Sequence, residues 1–176
     1  MRILRPLVMS LLALPLSVGL IGCDQKKDEP LGNQNEEQSF VQNIAASKGS
    51  EETQTFTGTI RGIEIKLAYY YKGDIVLRQS SENKIIYSRM GAQNKEEAQK
   101  MLQQISEAYQ KIQGITERID YQDSYAVEYV TIDYTKASIK ELCKLPGTSI
   151  TDCSAQYISM IRSQKLLKGN GFQKIN

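Results

Sequence analysis

The sequence predicts an α+β protein with a single small domain, in which an antiparallel sheet of about five strands packs on two or three helices. Two groups of segments show the period-two alternation of strands, and short turn signals join the segments within each group. One long segment with the period of an amphipathic helix separates the two groups, and shorter helical segments follow. Segregated strands and helices in the order β-β-β-α-β-β-α-α are typical of α+β folds.

Three strands are predicted before the long helix. Residues 55–60 are rich in β-branched and aromatic side chains. Residues 63–71 alternate strictly, which predicts one buried and one solvent-exposed face. The turn signal Lys72-Gly73-Asp74 predicts a hairpin into a third strand over residues 75–87, with an irregular stretch at 81–83. The face of the second strand that we expect to be buried carries Ile63, Ile65, Leu67, Tyr69 and Tyr71.

The long helix begins after Asn94, which is a typical N-cap residue, and Glu97 at the third helical position completes a variant of the capping box. Gly114 is placed to terminate the helix. Its apolar stripe recurs at spacings of three and four residues and consists of Ala98, Leu102, Ile105, Tyr109 and Ile112.

The second group holds two strands, residues 115–121 and 125–134, with Asp123-Ser124 as the turn. In the later strand, the alternation leaves open which of the two faces is buried. One of these faces carries Ala126, Glu128, Val130, Ile132 and Tyr134.

The last part of the chain predicts two helices. Residues 137–142 form a short helix that ends before Pro146. Asp152 or Ser154 caps a second helix, which Gly169-Asn170-Gly171 ends. We expect that helix to use Ile158, Ile161 and either Leu166 or Leu167, and the tail to fold back through Phe172 and Ile175.

The N-terminal segment has the organisation of a secretion signal. Two arginines precede a short apolar run, small residues follow, and the chain turns polar directly after Cys23. The run Leu20-Ile21-Gly22-Cys23 resembles the lipobox of bacterial lipoproteins, in which cleavage after Gly22 leaves an acylated cysteine as the first residue. A retained membrane-spanning helix needs about 20 apolar residues, and the run from Leu7 to Ile21 is shorter and contains Pro15. We therefore expect Cys23 to carry the lipid.

Three regions are predicted: a signal peptide over residues 1–22, a lipidated polar tether over 23–53, and the folded domain over 54–176. The predicted location is the extracytoplasmic face of a bacterial membrane. Asp24 resembles the inner-membrane retention signal of Gram-negative lipoproteins, so a Gram-negative source implies the inner membrane facing the periplasm. A Gram-positive source has one membrane, and Asp24 then carries no such message.

Charge and residue content exclude several classes of function. The precursor has 22 basic and 20 acidic side chains, and loss of Arg2 and Arg5 with the signal peptide leaves a balanced mature chain. This balance gives no reason to expect nucleic-acid binding. The sequence contains no histidine, which excludes histidine-dependent nucleophilic catalysis and zinc sites with histidine ligands. We predict no cofactor and no metal ion.

Two cysteines remain after Cys23. Cys143 and Cys153 flank the turn-prone run Leu145-Pro146-Gly147, and export from the cytoplasm favours a disulfide. Two free buried thiols are the alternative.

Three groups of residues are candidates for chemistry. Ten tyrosines can form a ligand surface or fill the core, and Tyr70 and Tyr129 serve a surface if their strand faces are wet. A set of four carboxylate side chains can support hydrolysis or bind Ca²⁺, or can simply be solvated. Gly169 and Gly171 follow a helix, so they predict a C-cap rather than a phosphate loop. The carboxylates in question are Asp120, Asp123, Glu128 and Asp133.

Six short motifs lie in order along the predicted domain: Phe56-Thr57-Gly58, residues 69–74, Glu96-Glu97-Ala98, Asp120-Tyr121, Asp133-Tyr134 and Gly171-Phe172. With these motifs, the chain resembles the YehR-like lipoproteins, a bacterial family of uncharacterised function. The resemblance implies a two-layer α+β domain behind a lipid anchor, and it supplies no catalytic residues. We expect a non-enzymatic module that binds an envelope protein or a small ligand through an exposed sheet face or edge. The alternatives are a carboxylate-dependent hydrolase of an envelope polymer and a purely structural lipoprotein.

Overall fold

A computed structural model of the chain describes residues 42, 44, 49–145 and 148–176. The predicted signal peptide, Cys23 and most of the predicted tether lie outside these residues. The described residues form β1 (Glu52–Ile60), β2 (Ile63–Lys72), β3 (Ile75–Ile86), α1 (Tyr87–Met90), α2 (Lys95–Tyr109), β4 (Ile115–Tyr121), β5 (Tyr125–Asp133), α3 (Ile139–Leu142), β6 (Ile158–Ser159), α4 (Met160–Gly169) and β7 (Gln173–Lys174).

The α+β class is confirmed. The sheet has the strand order β4-β5-β3-β2-β1-β7, and β6 pairs with β3 beside this path. Every pairing is antiparallel. The sheet has seven strands where about five were expected. The additional two, β6 and β7, are each two residues long.

The irregular stretch predicted at residues 81–83 is wrong, because β3 runs unbroken to Ile86. Ser81, Glu82 and Asn83 pair with β2 on one side and with β5 on the other. A central strand receives ladder hydrogen bonds from both neighbours, which outweighs the poor strand propensity of these residues. Tyr87, which was assigned to the same strand, instead begins α1.

One face of the sheet is covered by the helices. The larger apolar cluster lies on β1 and β2 and is closed by α3, α4 and the tail, with Leu142 and Met160 almost completely buried. The buried face predicted for β2 is confirmed at Leu67, Tyr69 and Tyr71. Burial of these side chains removes their apolar area from water, which stabilises by about 25 cal/mol per Å².

A second, smaller cluster lies on the same face at the other end of the sheet. Ala98 and Leu102 of α2 pack there on Ile85 and Ala126. The alternation of β5 left its buried face open, and the structure assigns that role to the face with Ala126 and Val130. This face also carries Glu128, so a carboxyl group is buried between the two clusters.

Asn94 caps α2 as predicted. The Glu97 N–H donates to Asn94 Oδ1 over 2.9 Å, and the Glu97 carboxylate accepts from the Gln93 N–H over 2.8 Å. Termination at Gly114 is wrong, because the helix ends at Tyr109. Gly114 instead has φ +84° and is enclosed by the backbone of Asp133 and Ala137, so it turns the chain into β4.

The start of the last helix differs from the prediction. Ser159, rather than Asp152 or Ser154, caps α4 by accepting from the Arg162 N–H over 3.2 Å. Ile158 belongs to β6, because pairing with Val76 holds it in the sheet.

The apolar residues of α4 and the tail also differ in part. Leu167 is buried, whereas Leu166 and Ile161 are exposed. Phe172 folds back onto the core as expected, but Ile175 is 55% exposed. Its backbone pairs along the edge of β1, where its N–H donates to the Thr55 carbonyl over 2.9 Å, so its side chain stays outside the core.

Candidate functional site

The second face of the sheet carries no helix among the described residues and forms the candidate site. We call it the open face. It consists of the outward side chains of β1 to β5 and is centred on Tyr70, Arg78, Lys84, Arg118, Tyr125 and Tyr129. The register explains this set, because side chains of directly paired residues point to the same face of a sheet.

Three tyrosine rings on the open face each lie under a cation. Arg78 Cζ is 4.1 Å from the centre of the Tyr70 ring, and the two residues are direct cross-strand partners. Arg118 Cζ is 4.3 Å from the Tyr129 ring, again across a strand pair. Lys84 Nζ is 5.4 Å from the Tyr125 ring. Tyr70 and Tyr129, singled out in the sequence, therefore do lie on the solvent-facing side, and both are half-buried.

The charges of the open face are largely balanced by neighbours. Lys84 Nζ is 3.6 Å from Glu64, and Arg118 pairs with Asp120. Lys66 lies opposite Glu82 across β2 and β3. Such exposed pairs contribute little to stability, but they leave a face without a strong field of one sign. An arrangement of aromatic rings and hydroxyl groups with paired charges suits polar, weakly charged ligands and protein surfaces.

The four predicted carboxylates do not meet at one site. Asp120 and Asp133 are on the open face, where Asp120 binds Arg118 and Asp133 lies 3.0 Å from Lys136 Nζ. Asp123 is in the turn between β4 and β5 and lines a shallow depression with Tyr87 and Gly91. Glu128 is on the opposite face of the sheet and is 7% exposed. The helix side and the open side are separated by the sheet, so these groups cannot act on one substrate together.

A different carboxyl group lies next to Glu128. Glu117 of β4 is on the same buried face, one pair along from Glu128 in the ladder of β4 and β5. Asn83 Nδ2 donates to Glu128 over 2.7 Å, and Ser106 of α2 donates to Glu117 Oε2. Glu117 Oε1 is buried and has no partner among the described residues. We call Glu117, Glu128, Asn83 and Ser106 the buried polar cluster.

Burial raises the pKa of Glu128 to about 7, because the charged form is poorly solvated. The Asn83 amide opposes this change in pKa, and the Glu117 carboxyl adds to it through a hydrogen bond and charge repulsion. A proton on Glu128 therefore supplies a donor beside the Glu117 carboxylate. Burial also raises the pKa of Tyr109, which closes the cluster from α2, to about 12.

The sequence contains a signal for Glu117 that the prediction did not use. Ile115, Glu117, Ile119 and Tyr121 alternate, so the period of the strand alone places Glu117 on the apolar face. An inward-pointing charge on an edge strand is a known means of preventing edge-to-edge association. This structural role explains the position of Glu117 without a catalytic role. Glu128 is buried on the helix-covered face, so a substrate cannot reach it.

The described residues contain neither a metal-binding cluster nor a membrane-spanning helix. In that part of the chain, no group of three or more aspartate, glutamate, cysteine or histidine side chains is arranged to hold a metal ion. Among the same residues, no helix is both long and apolar enough to cross a bilayer.

Cys143 and Cys153 are joined by a disulfide, with their Cα atoms 5.9 Å apart. The bond links the residue after α3 to the segment that leads into β6. It lies at the end of the domain that holds the larger apolar cluster, where Leu142 is buried.

The fold and the open face define a small α+β domain with one helix-covered and one solvent-facing sheet surface. Residues 52–173 match the model of a family described as "Protein of unknown function (DUF1307)". The chain belongs to this family.

Curated relatives carry the name lipoprotein. "Uncharacterized lipoprotein Lin0239" of Listeria innocua is 44% identical over 132 residues, covering 75% of this chain and 86% of that protein. "Uncharacterized lipoprotein YehR" of Escherichia coli is 38% identical over 137 residues, covering 77% of this chain and 90% of that protein. The resemblance to YehR-like lipoproteins is therefore confirmed, and the function of these relatives is uncharacterised.

Solved structures support the same fold. The NMR structure of E. coli YehR matches with a TM-score of 0.64 and 40% identity, over 72% of this chain and 91% of that one. The NMR structure of a protein from Streptococcus pneumoniae TIGR4 matches with a TM-score of 0.50 and 14% identity, over 91% of this chain and 99% of that one. The second likeness concerns the fold alone.

Proposed function

We propose that this chain is a lipid-anchored protein of the bacterial envelope, held at the extracytoplasmic face of a membrane by an acylated Cys23. The lipobox before Cys23 and the lipoprotein names of relatives that match over most of the domain support this proposal. One acyl chain binds a membrane only weakly, whereas two or more anchor stably.

Mass spectrometry of the mature N-terminus tests the anchor. We expect cleavage between Gly22 and Cys23 and a lipid mass on Cys23, and a Cys23→Ala variant that is not processed at this position. A mature chain that begins elsewhere, or carries no lipid, would refute the anchor. In a Gram-negative host, membrane fractionation of Asp24→Ser tests the retention role of Asp24, which predicts a move from the inner to the outer membrane.

We further propose that the domain is a non-enzymatic binding module and that the open face is its contact surface. The observation that carries this proposal is the set of three tyrosine rings held under Arg78, Lys84 and Arg118 on a face that no described helix covers. A cation held over a ring fixes the side chain before a ligand arrives, so less conformational entropy is lost on binding. The partner class is an envelope protein or a small polar ligand.

Site-specific photocrosslinking in intact cells tests the open face. A photoreactive phenylalanine analogue replaces Tyr129 in the full lipidated chain, and the matched control carries it at Met101, which is 41% exposed on α2. We expect a crosslinked species from position 129 that position 101 does not give, and its loss in an Arg118→Ala background. Equal products from both positions, or none from position 129, would refute the open face as the contact surface.

The hydrolase alternative receives no support from the geometry of its carboxylates. Asp120 and Asp133 are engaged by basic side chains, and Glu128 is on the other side of the sheet. A single-residue test remains informative, because Asp123→Asn lies in the turn between β4 and β5 and should leave any contact made by the open face in place. Loss of an envelope-polymer hydrolysis activity in that variant, with folding intact, would revive the alternative.

A further inference from the structure

We infer that α4 and the C-terminal tail form a membrane-docking surface that lays one side of the domain on anionic lipid headgroups. This inference rests on the proposed lipid anchor and adds an orientation to it. The surface consists of Tyr157, Ile161, Arg162, Lys165, Leu166, Lys168, Lys174 and Ile175. We call it the basic surface.

The charge of the basic surface is of one sign. Residues 153–176 contain no acidic side chain, and they carry four basic ones at positions 162, 165, 168 and 174. All four are exposed. Hydrogen bonds from Ser154, and to a smaller extent the charge of Arg162, lower the pKa of Asp152, whereas Lys165, Lys168 and Lys174 form no salt bridge with any described residue. On the open face, by comparison, Lys84 and Arg118 each have a salt-bridge partner.

Exposed apolar side chains accompany these cations. Of the six large hydrophobic residues that are exposed in the described part of the chain, four belong to the basic surface: Tyr157, Ile161, Leu166 and Ile175. Ile161 is the most exposed of them, at 69%. Cations flanked by exposed apolar residues are the composition of helices that lie in the membrane interface, where the apolar groups enter the headgroup region and the cations bind lipid phosphates.

The helical period places the five residues of the basic surface that belong to α4 on one side of that helix. At 100° per residue, Ile161, Lys165 and Lys168 fall within one narrow sector, and Arg162 and Leu166 extend it on one side. Met160 and Leu167 point the opposite way into the core. The outward side of α4 is therefore fixed by the burial of its inward side, and the domain presents it as a rigid surface.

The tether enters the domain beside this surface. Gln164 Nε2 of α4 donates to Gln54 Oε1 near the start of β1, over 2.6 Å. The tail then runs along the edge of the same strand, where the Thr55 N–H donates to Asn176 Oδ1 over 2.9 Å. The chain that leads from Cys23 therefore enters the folded domain at β1, next to α4 and the tail.

Anionic lipid is the occupant that the charge favours. Each Lys or Arg near an anionic membrane surface gains about 1 kcal/mol, and the attraction falls off within a Debye length. A protein partner with an acidic patch would satisfy the cations as well, and the experiment below separates the two.

Depth-dependent fluorescence quenching in vesicles tests the inference. The full lipidated protein carries an environment-sensitive probe on a cysteine introduced at Ile161, or, as a control, at Gln103 on α2. Each is reconstituted into vesicles of phosphatidylcholine alone or with phosphatidylglycerol, which also contain a quencher in the acyl chains. We expect a blue shift and quenching at position 161 in the anionic vesicles only, and neither at position 103.

Charge reversal provides the matched comparison. Lys165→Glu with Lys168→Glu removes two attractive charges, which alone should reduce the ratio of docked to undocked protein by roughly thirtyfold, and adds two repulsive charges, which should reduce it further. Lys100→Glu on α2 with Lys111→Glu, two residues after that helix, makes the same change in net charge and should leave docking unchanged. An equal loss in both double variants would refute a role for the basic surface itself.

Flotation of the same vesicles separates this inference from the anchor. Protein that fails to float with vesicles lacks the anchor, which refutes the proposed function. Protein that floats but shows no quenching at position 161 is anchored without docking, which refutes the inference alone. If the probe at position 161 showed a blue shift in native membranes but not in vesicles of pure lipid, the basic surface would bind a protein partner. That result would also refute the inference.

Discussion

At the scale of single residues, Glu128 is a carboxyl group in a buried environment. It is buried between the two apolar clusters. One of its carboxyl oxygens accepts a hydrogen bond from Asn83, and the charged group beside it is another carboxyl, that of Glu117. The titratable groups that interact with it are Glu117 and Tyr121 from β4 and Tyr109 from α2, and of these Glu117 disfavours a negative charge on Glu128. The neutral acid is therefore the form that fits the fold.

This environment predicts that stability falls as the pH rises. The pKa of Glu128 is raised from 4.5 to about 7, so the folded state binds more protons than the unfolded state between these values. The stabilisation is fully present below pH 4.5 and is lost as the pH passes about 7. The loss is on the order of 3 kcal/mol.

Glu128→Gln mimics the protonated acid and should remove most of this pH dependence. Urea unfolding between pH 5 and pH 8 measures the effect. Glu64→Gln on the open face is the control and should keep the slope of the wild type. An unchanged slope in Glu128→Gln would show that another group is responsible.

A second prediction at this scale concerns Gly58, where the ring of Phe172 lies directly on the backbone. A Cβ at this position would come within 2.6–2.8 Å of three ring atoms. Gly58→Ala should therefore lower the free energy of unfolding by roughly 1–3 kcal/mol. Gly169→Ala on α4 has open space around the new methyl group, and it should be neutral or stabilise by up to about 1 kcal/mol. Thermal unfolding of the two variants compares them, and equal values would contradict the close packing at Gly58.

At the scale of elements, α4 is held by a turn that lies far away in the sequence. Asp74, in the hairpin between β2 and β3, accepts from the Ser159 hydroxyl and from the Ile161 N–H, each over 2.7 Å. Its carbonyl accepts from the Met160 N–H over 2.8 Å. The turn thus satisfies donors at the start of α4 that have no partner within the helix.

Asp74→Ala should destabilise the domain by roughly 1–2 kcal/mol through loss of these contacts. Asp74→Asn keeps an acceptor and should recover part of that loss. Asp152→Ala is the control, because Asp152 accepts only local hydrogen bonds from Ser154 and the backbone nearby. If chemical denaturation showed a larger loss in the free energy of unfolding for Asp152→Ala than for Asp74→Ala, the proposed cap would be contradicted.

The disulfide is the second device at this scale. We propose that Cys143 and Cys153 are oxidised in the exported protein, closing a loop with a sequence separation of 10 residues. Reduction should cost roughly 2–3 kcal/mol. Urea unfolding with and without reductant should show this loss in the wild type and no effect of reductant in Cys143→Ser with Cys153→Ser. Two titratable thiols in the denatured, unreduced wild type would refute the bond.

At the scale of the whole domain, one strand connects the two apolar clusters. β3 contributes Ile75 and Val76 to the larger cluster and Ile85 to the smaller one. In the middle of β3, the polar side chains of Gln79 and Asn83 point to the same face. There Gln79 accepts a hydrogen bond from the Tyr134 hydroxyl, and Asn83 donates one to Glu128. Because the strand is continuous, neither cluster can lose its support without affecting the other.

This connection predicts a single unfolding transition. Leu142→Ala in the larger cluster and Leu102→Ala in the smaller one should each cost roughly 2–5 kcal/mol. Far-ultraviolet circular dichroism and tyrosine fluorescence should report the same midpoint in the wild type and in each variant. Two separated transitions, with each variant shifting only one of them, would contradict the coupling through β3.

Much of the domain could be predicted because the relevant signals are local. The alternation of β2 and β4 and the cap at Asn94 depend on residues next to one another, and the structure has them where the sequence indicates. The prediction for the start of α4 was wrong because the capping of this helix depends on Asp74, which lies 87 positions before Ile161 in the sequence. The continuity of β3 was missed because its middle residues are held by neighbouring strands rather than by their own propensity.

The candidate surfaces divide in the same way. The sequence by itself predicted the lipobox at Cys23 and determined the absence of histidine and the family of the chain, since these depend only on which residues occur and in what order. Only the tertiary structure decided that Glu128 meets Glu117 rather than Asp120, and that Tyr70 and Tyr129 face away from the helices. A face of a strand is inside or outside only in relation to what packs on it, and long-range pairing sets that relation.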